Sequence, residues 1–255
     1  MKTGTWWKSN VMNFRDYDLS PAKGKSLWEN CPLLAIEANP VVGFKFIEDF
    51  VNWRGAVVTG TTMTGWTVTA ATAGTVAITA GAAGGILEID SASSTAAQGA
   101  NVQYDTALFK PAAGKHIWYE CRFKVVDTFD KGQLFIGLAE IDTSIIAAGS
   151  ISTANHIGFL GATGNAGTLV LAGNKATAAT TVACSAIAED TWIRMGFFVN
   201  GITSVHHYVN DAIASTTLAT ANIPIVGLAP SFVCQSDGTN DPILHVDYVR
   251  VVQLR

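Results

Sequence analysis

Charge is scarce in this chain. Asp, Glu, Lys and Arg make up 14% of its 255 residues, well under the usual quarter or so of a soluble domain. Lys and Arg number 16 against 20 Asp and Glu, a net charge of −4, so no basic footprint for nucleic acid is present. Long apolar runs are missing as well. No window approaches about eighteen uninterrupted apolar residues, which leaves no membrane-spanning helix, and residues 1–18 lack the apolar stretch of a signal peptide. Cysteine is sparse and dispersed: Cys31, Cys121, Cys184 and Cys234 form no Cys-x-x-Cys pair. They read as buried free thiols of a protein made in a reducing cytosol, neither disulfides nor a zinc site. No Gly-x-Ser-x-Gly, Walker loop or dinucleotide fingerprint occurs, and no cofactor is implied.

What the chain does have is two-residue periodicity. Across residues 117–125, Tyr119, Cys121, Phe123 and Val125 alternate with Trp118, Glu120, Arg122 and Lys124, the pattern of a strand with one face on a core and one in water. Residues 127–132 supply turn chemistry and 133–139 a more buried strand, so 117–139 reads as a hairpin at the centre of a sandwich. Ile193, Met195, Phe197 and Val199 repeat the alternation, and Asn200-Gly201 after them predicts a type I′ hairpin turn. Asn210-Asp211 predicts another turn, residues 143–153 a short helical turn, and 243–254 the closing strand. About twelve to fourteen short strands with turn signals between them predict an all-β antiparallel sandwich, spanning residues 44–255.

Residues 1–43 differ. They carry Trp6, Trp7, Phe14, Tyr17 and Trp28 among polar residues, with Pro21, Pro32 and Pro40 and no sustained period. This reads as an extended N-terminal arm whose aromatics contact either the chain's own domain or a neighbouring subunit.

Three segments resemble the concanavalin A-like lectin/glucanase superfamily: residues 119–140, 190–201 and 243–253. The resemblance implies a jelly roll in which the first strand, residues 44–50, pairs with the last. The Ala/Thr/Gly-rich loops and the aromatic arm also look like virion structural proteins of tailed bacteriophages, of the capsid decoration or cement kind. That second resemblance implies a homo-oligomer, a trimer in expectation, made in the host cytoplasm, resident in the virion and bound to the major capsid protein or other virion subunits.

Glucanases of the superfamily draw two carboxylates from a Glu-x-Asp-x-Glu or Glu-x-Asp-x-x-Glu strand. Here Glu88-Ile89-Asp90 begins the motif, but Ala92 and Ser93 stand where the second Glu belongs. Double displacement needs both acids, so the chain is expected not to be an enzyme. Residues 237–241 offer oxygen ligands but read as an Asx-rich turn, and the calcium-site pattern of the lectins is absent. His206 and His207 are adjacent on a strand and diverge. Trp118 and Trp192, on the outward side of their strands, are candidate glycan or subunit contacts. The sequence thus favours a non-enzymatic phage structural protein, with a lectin-like carbohydrate-binding module as the alternative.

Overall fold

Strands with one apolar side bury it by pressing two sheets together. The computed structural model describes residues 26–53, 62–63, 65–71, 73–126, 132–147, 150–151, 154–161, 167–176 and 178–255. Among these, one short helix, α1 (Leu33–Ala38), leads into β1 (Gly43–Glu48), β2 (Thr62–Met63), β3 (Trp66–Ala70), β4 (Thr75–Ile78), β5 (Leu87–Asp90) and β6 (Gly99–Tyr104). Next come β7 (Ile117–Val126), β8 (Gly132–Ala139), β9 (Ile146–Ala147), β10 (Ser150–Ile151), β11 (His156–Gly161) and β12 (Thr168–Lys175). The chain closes with β13 (Ala178–Ala186), β14 (Ile193–Asn200), β15 (Ser204–Val209), β16 (Ala212–Ala219), β17 (Ala229–Ser236) and β18 (Ile243–Leu254). The first sheet runs β16-β15-β14-β7-β18-β5-β4 with β1 also on β18; the second runs β13-β12-β11-β8-β17-β6-β3-β2. The all-β antiparallel sandwich is as expected, and so is the pairing of first and last strands, Gly43–Glu48 against residues 254–249.

The central hairpin is not. β7 pairs with β14 and β18 in the first sheet, whereas β8 pairs with β11 and β17 in the second. The chain crosses the sandwich between them, so β7 and β8 face one another through the core. Between the sheets, Tyr119 stacks on Phe197 at 4.5 Å, and Phe159 from the second sheet approaches Phe197 at 5.9 Å. Full burial of rings of this size is worth about 2–3 kcal/mol each.

Two turns trade roles. Asn200 pairs with Ser204 across a three-residue loop that holds Gly201 at φ 57°, in place of a two-residue turn. The type I′ geometry appears instead at Asn210-Asp211, with φ 48° and 69°, joining Val209 to Ala212, because both central positions of that turn require positive φ. The helical turn expected at 143–153 is the small β9–β10 hairpin.

The outer face of the first sheet is only partly in water. Residues 26–42 lie on it, with Leu27 and Ile36 packed against Trp118, Phe198, Tyr208, Val252 and Leu254. Beneath them Glu120, 2% exposed, accepts hydrogen bonds from Trp28 Nε1 (2.8 Å) and Tyr248 Oη (2.8 Å) and pairs with Arg250 (3.1 Å). The Arg250 guanidinium lies 4.0 Å over the Trp28 ring. A large apolar patch on a sheet's outer face needs such a cover.

Candidate functional site

Outside the core, the second sheet presents a face of a different character. Because Trp66, Val68, Ala100 and Val102 point inward, the alternate residues Thr67, Thr69, Asn101 and Gln103 point outward. The registers put Gln103 between Thr67 and Ser231, and Asn101 between Thr69 and Val233. Further across, Gly137 opposes Ser231 on one side and Gly158 on the other, and His156 opposes Ala139 and Asn174. The small residues Ser231, Gly137 and Gly158 thus lie in one row across the face, beside an apolar cluster of Phe135, Ala139, Leu160, Ala172 and Val233.

Along the β3–β6 edge this face opens into a groove of about 160 Å³. It is lined by Thr67, Thr69, Asn101, Gln103, Tyr104 and Asp105 from the sheet and by residues 141–143 from the loop after β8. The lining side chains carry hydroxyls, amides and carboxylates, and neither lysine nor arginine. Each group is held in place. Tyr104 packs edge-on against Phe46 at 4.9 Å and Trp66 at 5.4 Å. The Thr67 hydroxyl donates to the Asp105 carboxylate. Gln103 Nε2 donates to Ser231 Oγ (2.8 Å) and Glu140 O (3.0 Å), while its Oε1 accepts from Asp142 N–H (2.9 Å). Asn101 Nδ2 donates to Asp142 O at 2.7 Å, which fixes the amide so that Oδ1 is an obligate acceptor; that oxygen has no partner among the described residues.

The residues singled out in the sequence are placed elsewhere. Trp118 is 3% exposed beneath residues 26–42, so it is part of a packed cluster and not a glycan or subunit contact. Trp192 is half-buried, with the Arg122 guanidinium 4.4 Å and the Lys124 ammonium 5.4 Å from its ring centre. Trp28 is occupied by its own sheet, whereas Trp6, Trp7, Phe14 and Tyr17 lie outside the described residues. Glu88 and Asp90 share the outer face of the first sheet, the opposite side of the sandwich from the groove. Glu88 is 3.2 Å from His245 Nε2, and Asp90 accepts from Ala92 N–H at 2.7 Å. Burial holds the Asp90 carboxyl above its usual range, and the neighbouring Asp241 and Glu88 charges add to this. The 237–241 loop is a set of Asx-type turns: Thr239 N–H donates to Asp237, and Asp241 accepts from Ser91 Oγ and Ser93 N–H. Nothing in the sequence pointed to the groove, because its residues come from three segments that only the strand registers bring together.

No family model matches the sequence and no curated protein resembles it. Solved structures do. A protein of unknown function from Shewanella oneidensis MR-1 superposes with a TM-score of 0.57, over 84% of this chain and 87% of its own, at 14% identity. The endo-1,3-β-glucanase of Streptomyces sioyaensis gives 0.52 over 82% and 95% at 12% identity. The carbohydrate recognition domain of Emp47p gives 0.51 over 80% and 93% at 10% identity. The fold is a concanavalin A-like jelly roll. One expectation is overturned by this result. The missing second glutamate after Asp90 argued that the chain is not an enzyme, yet the same fold carries an endo-glucanase, so the lack of that motif on β5 no longer sets catalysis aside.

Proposed function

We propose that this jelly roll binds carbohydrate in the groove between β3, β6 and residues 141–143. The observation that carries the reading is the lining itself: the orientation-locked amides of Asn101 and Gln103, the Asp105 carboxylate and the Thr67 and Thr69 hydroxyls converge on the groove. Sugars present hydroxyls that donate and accept at once, and carboxylates and amides in fixed positions read such groups with directional hydrogen bonds. The similarity in fold to a carbohydrate recognition domain and an endo-glucanase supports the same reading. Decoration of a capsid, the first expectation from the sequence, gains no support: Trp28, the one arm aromatic among the described residues, is seated on its own sheet.

Titration calorimetry with laminari-, cello- and manno-oligosaccharides tests the proposal. One of these series should bind, and Asp105→Ala and Thr67→Val should each weaken it about tenfold, the cost of one hydrogen bond to a charged group. The same samples, followed for new reducing ends, report cleavage. Failure of every oligosaccharide to bind, or binding indifferent to both substitutions, refutes the groove as the site.

A further inference from the structure

The outer face of the second sheet is roofed by its own chain, and the roof matches the donors of Asn101, Gln103, His156 and Asn174 below it but only one of their four acceptors. Ile145, 1% exposed, seats among Phe135, Ala139, Leu160, Ala172 and Val233. Around that seat the roof presents backbone carbonyls. Asp142 O takes Asn101 Nδ2, and Glu140 O takes Gln103 Nε2. Ala154 O takes Asn174 Nδ2 at 3.2 Å and lies 2.8 Å from His156 Nδ1. A carbonyl only accepts, so the imidazole proton sits on Nδ1 and Nε2 keeps its lone pair.

Three acceptors on this face then have no protein partner among the described residues: Asn101 Oδ1, Asn174 Oδ1 and His156 Nε2, on side chains no more than 4% exposed. His156 and Asn174 oppose each other across β11 and β12. Asn101 lies three strands from β11, through β8 and β17, about 14 Å at the usual strand spacing. Apart from Asp142 N–H, which reaches Gln103 Oε1, the roof meets these side chains with carbonyls, which satisfy donors and offer nothing to acceptors, whereas a hydroxyl does both.

We infer that residues 140–147 and 154–155 are a displaceable cover over a ligand-reading face, and that hydroxyls of an oligosaccharide replace it against Asn101, His156 and Asn174. The inference rests on the carbohydrate reading and extends it, making the groove the open end of a longer site. The ligand class is an oligosaccharide long enough to cross from β6 to β12; a disaccharide fills the groove alone.

The test uses the full chain and the tightest binder of the panel above, as hexamer and as dimer. Ile145→Ala strips the cover of its apolar seat and should tighten the hexamer about tenfold while leaving the dimer within about twofold. Asn174→Leu and His156→Phe remove the buried acceptors and should each weaken the hexamer about fivefold, the dimer unchanged, with Tm held or raised. If Ile145→Ala does not fold, Ile145→Val should shift the hexamer the same way by about threefold. Equal effects on the two lengths, or no tightening in the Ile145 variant that folds, overturn the cover and leave the groove reading standing. Absence of binding by every oligosaccharide in the wild type overturns both.

Discussion

Acid should loosen this fold through its buried imidazoles, and His156 sets the scale. It is 1% exposed, donates from Nδ1 to Ala154 O and meets the Phe135 ring edge-on at 5.6 Å. Burial pushes its pKa from 6.5 down to about 4, because a charged ring there would lose its hydration. In the unfolded chain the ring takes a proton near pH 6.5; in the folded chain it resists until about pH 4. Stability from this group is therefore complete above pH 6.5 and is lost as pH falls toward 4. The loss amounts to about 3 kcal/mol, at roughly 1.4 kcal/mol per pH unit in the middle of the window. His207, fully buried beside Phe197, and His116 are also lowered by burial and act in the same direction. Asp90, raised by burial, acts in the opposite direction between its unfolded value and its higher folded one. Urea unfolding followed by tryptophan fluorescence at fixed ionic strength, from pH 7.5 to 4.5, reads the slope. Wild type should lose about 2.5 kcal/mol more than His156→Phe over that interval. Parallel profiles for the two proteins would refute the argument, since they would show that His156 gains its proton as readily folded as unfolded.

Two further changes probe the packing. Glu120→Ala removes the acceptor shared by Trp28, Tyr248 and Arg250 and leaves a half-buried guanidinium without its carboxylate; thermal unfolding should show a loss of about 3–5 kcal/mol, and a loss under about 1 kcal/mol would mean that residues 26–42 are held by apolar contact alone. Gly158→Ala would place a Cβ 2.7 Å from the Phe135 ring and 2.8 Å from Ile136 O; the overpacking should cost about 1–3 kcal/mol in urea unfolding, and an unchanged midpoint would show that Phe135 moves aside freely.

Periodicity made the strands legible and left their partners hidden. The alternation of Tyr119, Cys121, Phe123 and Val125 told which side of β7 is buried, and the structure agrees, but the same pattern is compatible with β8 beside it or across from it. The deciding fact is nonlocal: β14 and β18 already occupy both edges of β7. The outward residues were harder still. Trp118 and Glu120 alternate as a wet face does, and only residues 26–42, a segment without any period, bury them. In β8 every residue from Gly132 to Ala139 is buried, and an uninterrupted run of that kind signals that both faces are covered. That signal was present in the sequence; what covers the outer side, residues 140–147, was not. The groove escaped notice because neutral Thr, Asn and Gln at strand positions carry no motif, and β3, β6 and the loop after β8 meet only through register.

The two covers of this molecule are built differently, and the contrast separates structure from function. On the first sheet, residues 26–42 bring a donor to the buried charge they hide: Trp28 joins Tyr248 and Arg250 around Glu120, and the groups left over nearby include a donor, Arg250 Nε. On the outer face of the second sheet the leftovers among the described residues are acceptors, Asn101 Oδ1, Asn174 Oδ1, His156 Nε2 and Gln235 Oε1. A buried acceptor without a donor costs about 1–3 kcal/mol, and native folds rarely keep several together without a use for them. A cover selected only for stability would be expected to offer a hydroxyl or an N–H to such a row, as Asp142 N–H does for Gln103. A cover that must give way to a hydroxyl-bearing ligand has reason not to, because every donor it supplied would have to be displaced when the ligand arrived. The mismatch beneath residues 140–147 and 154–155 is thus what supports the proposal that this polar face, on the sheet opposite Glu88 and Asp90, binds a ligand.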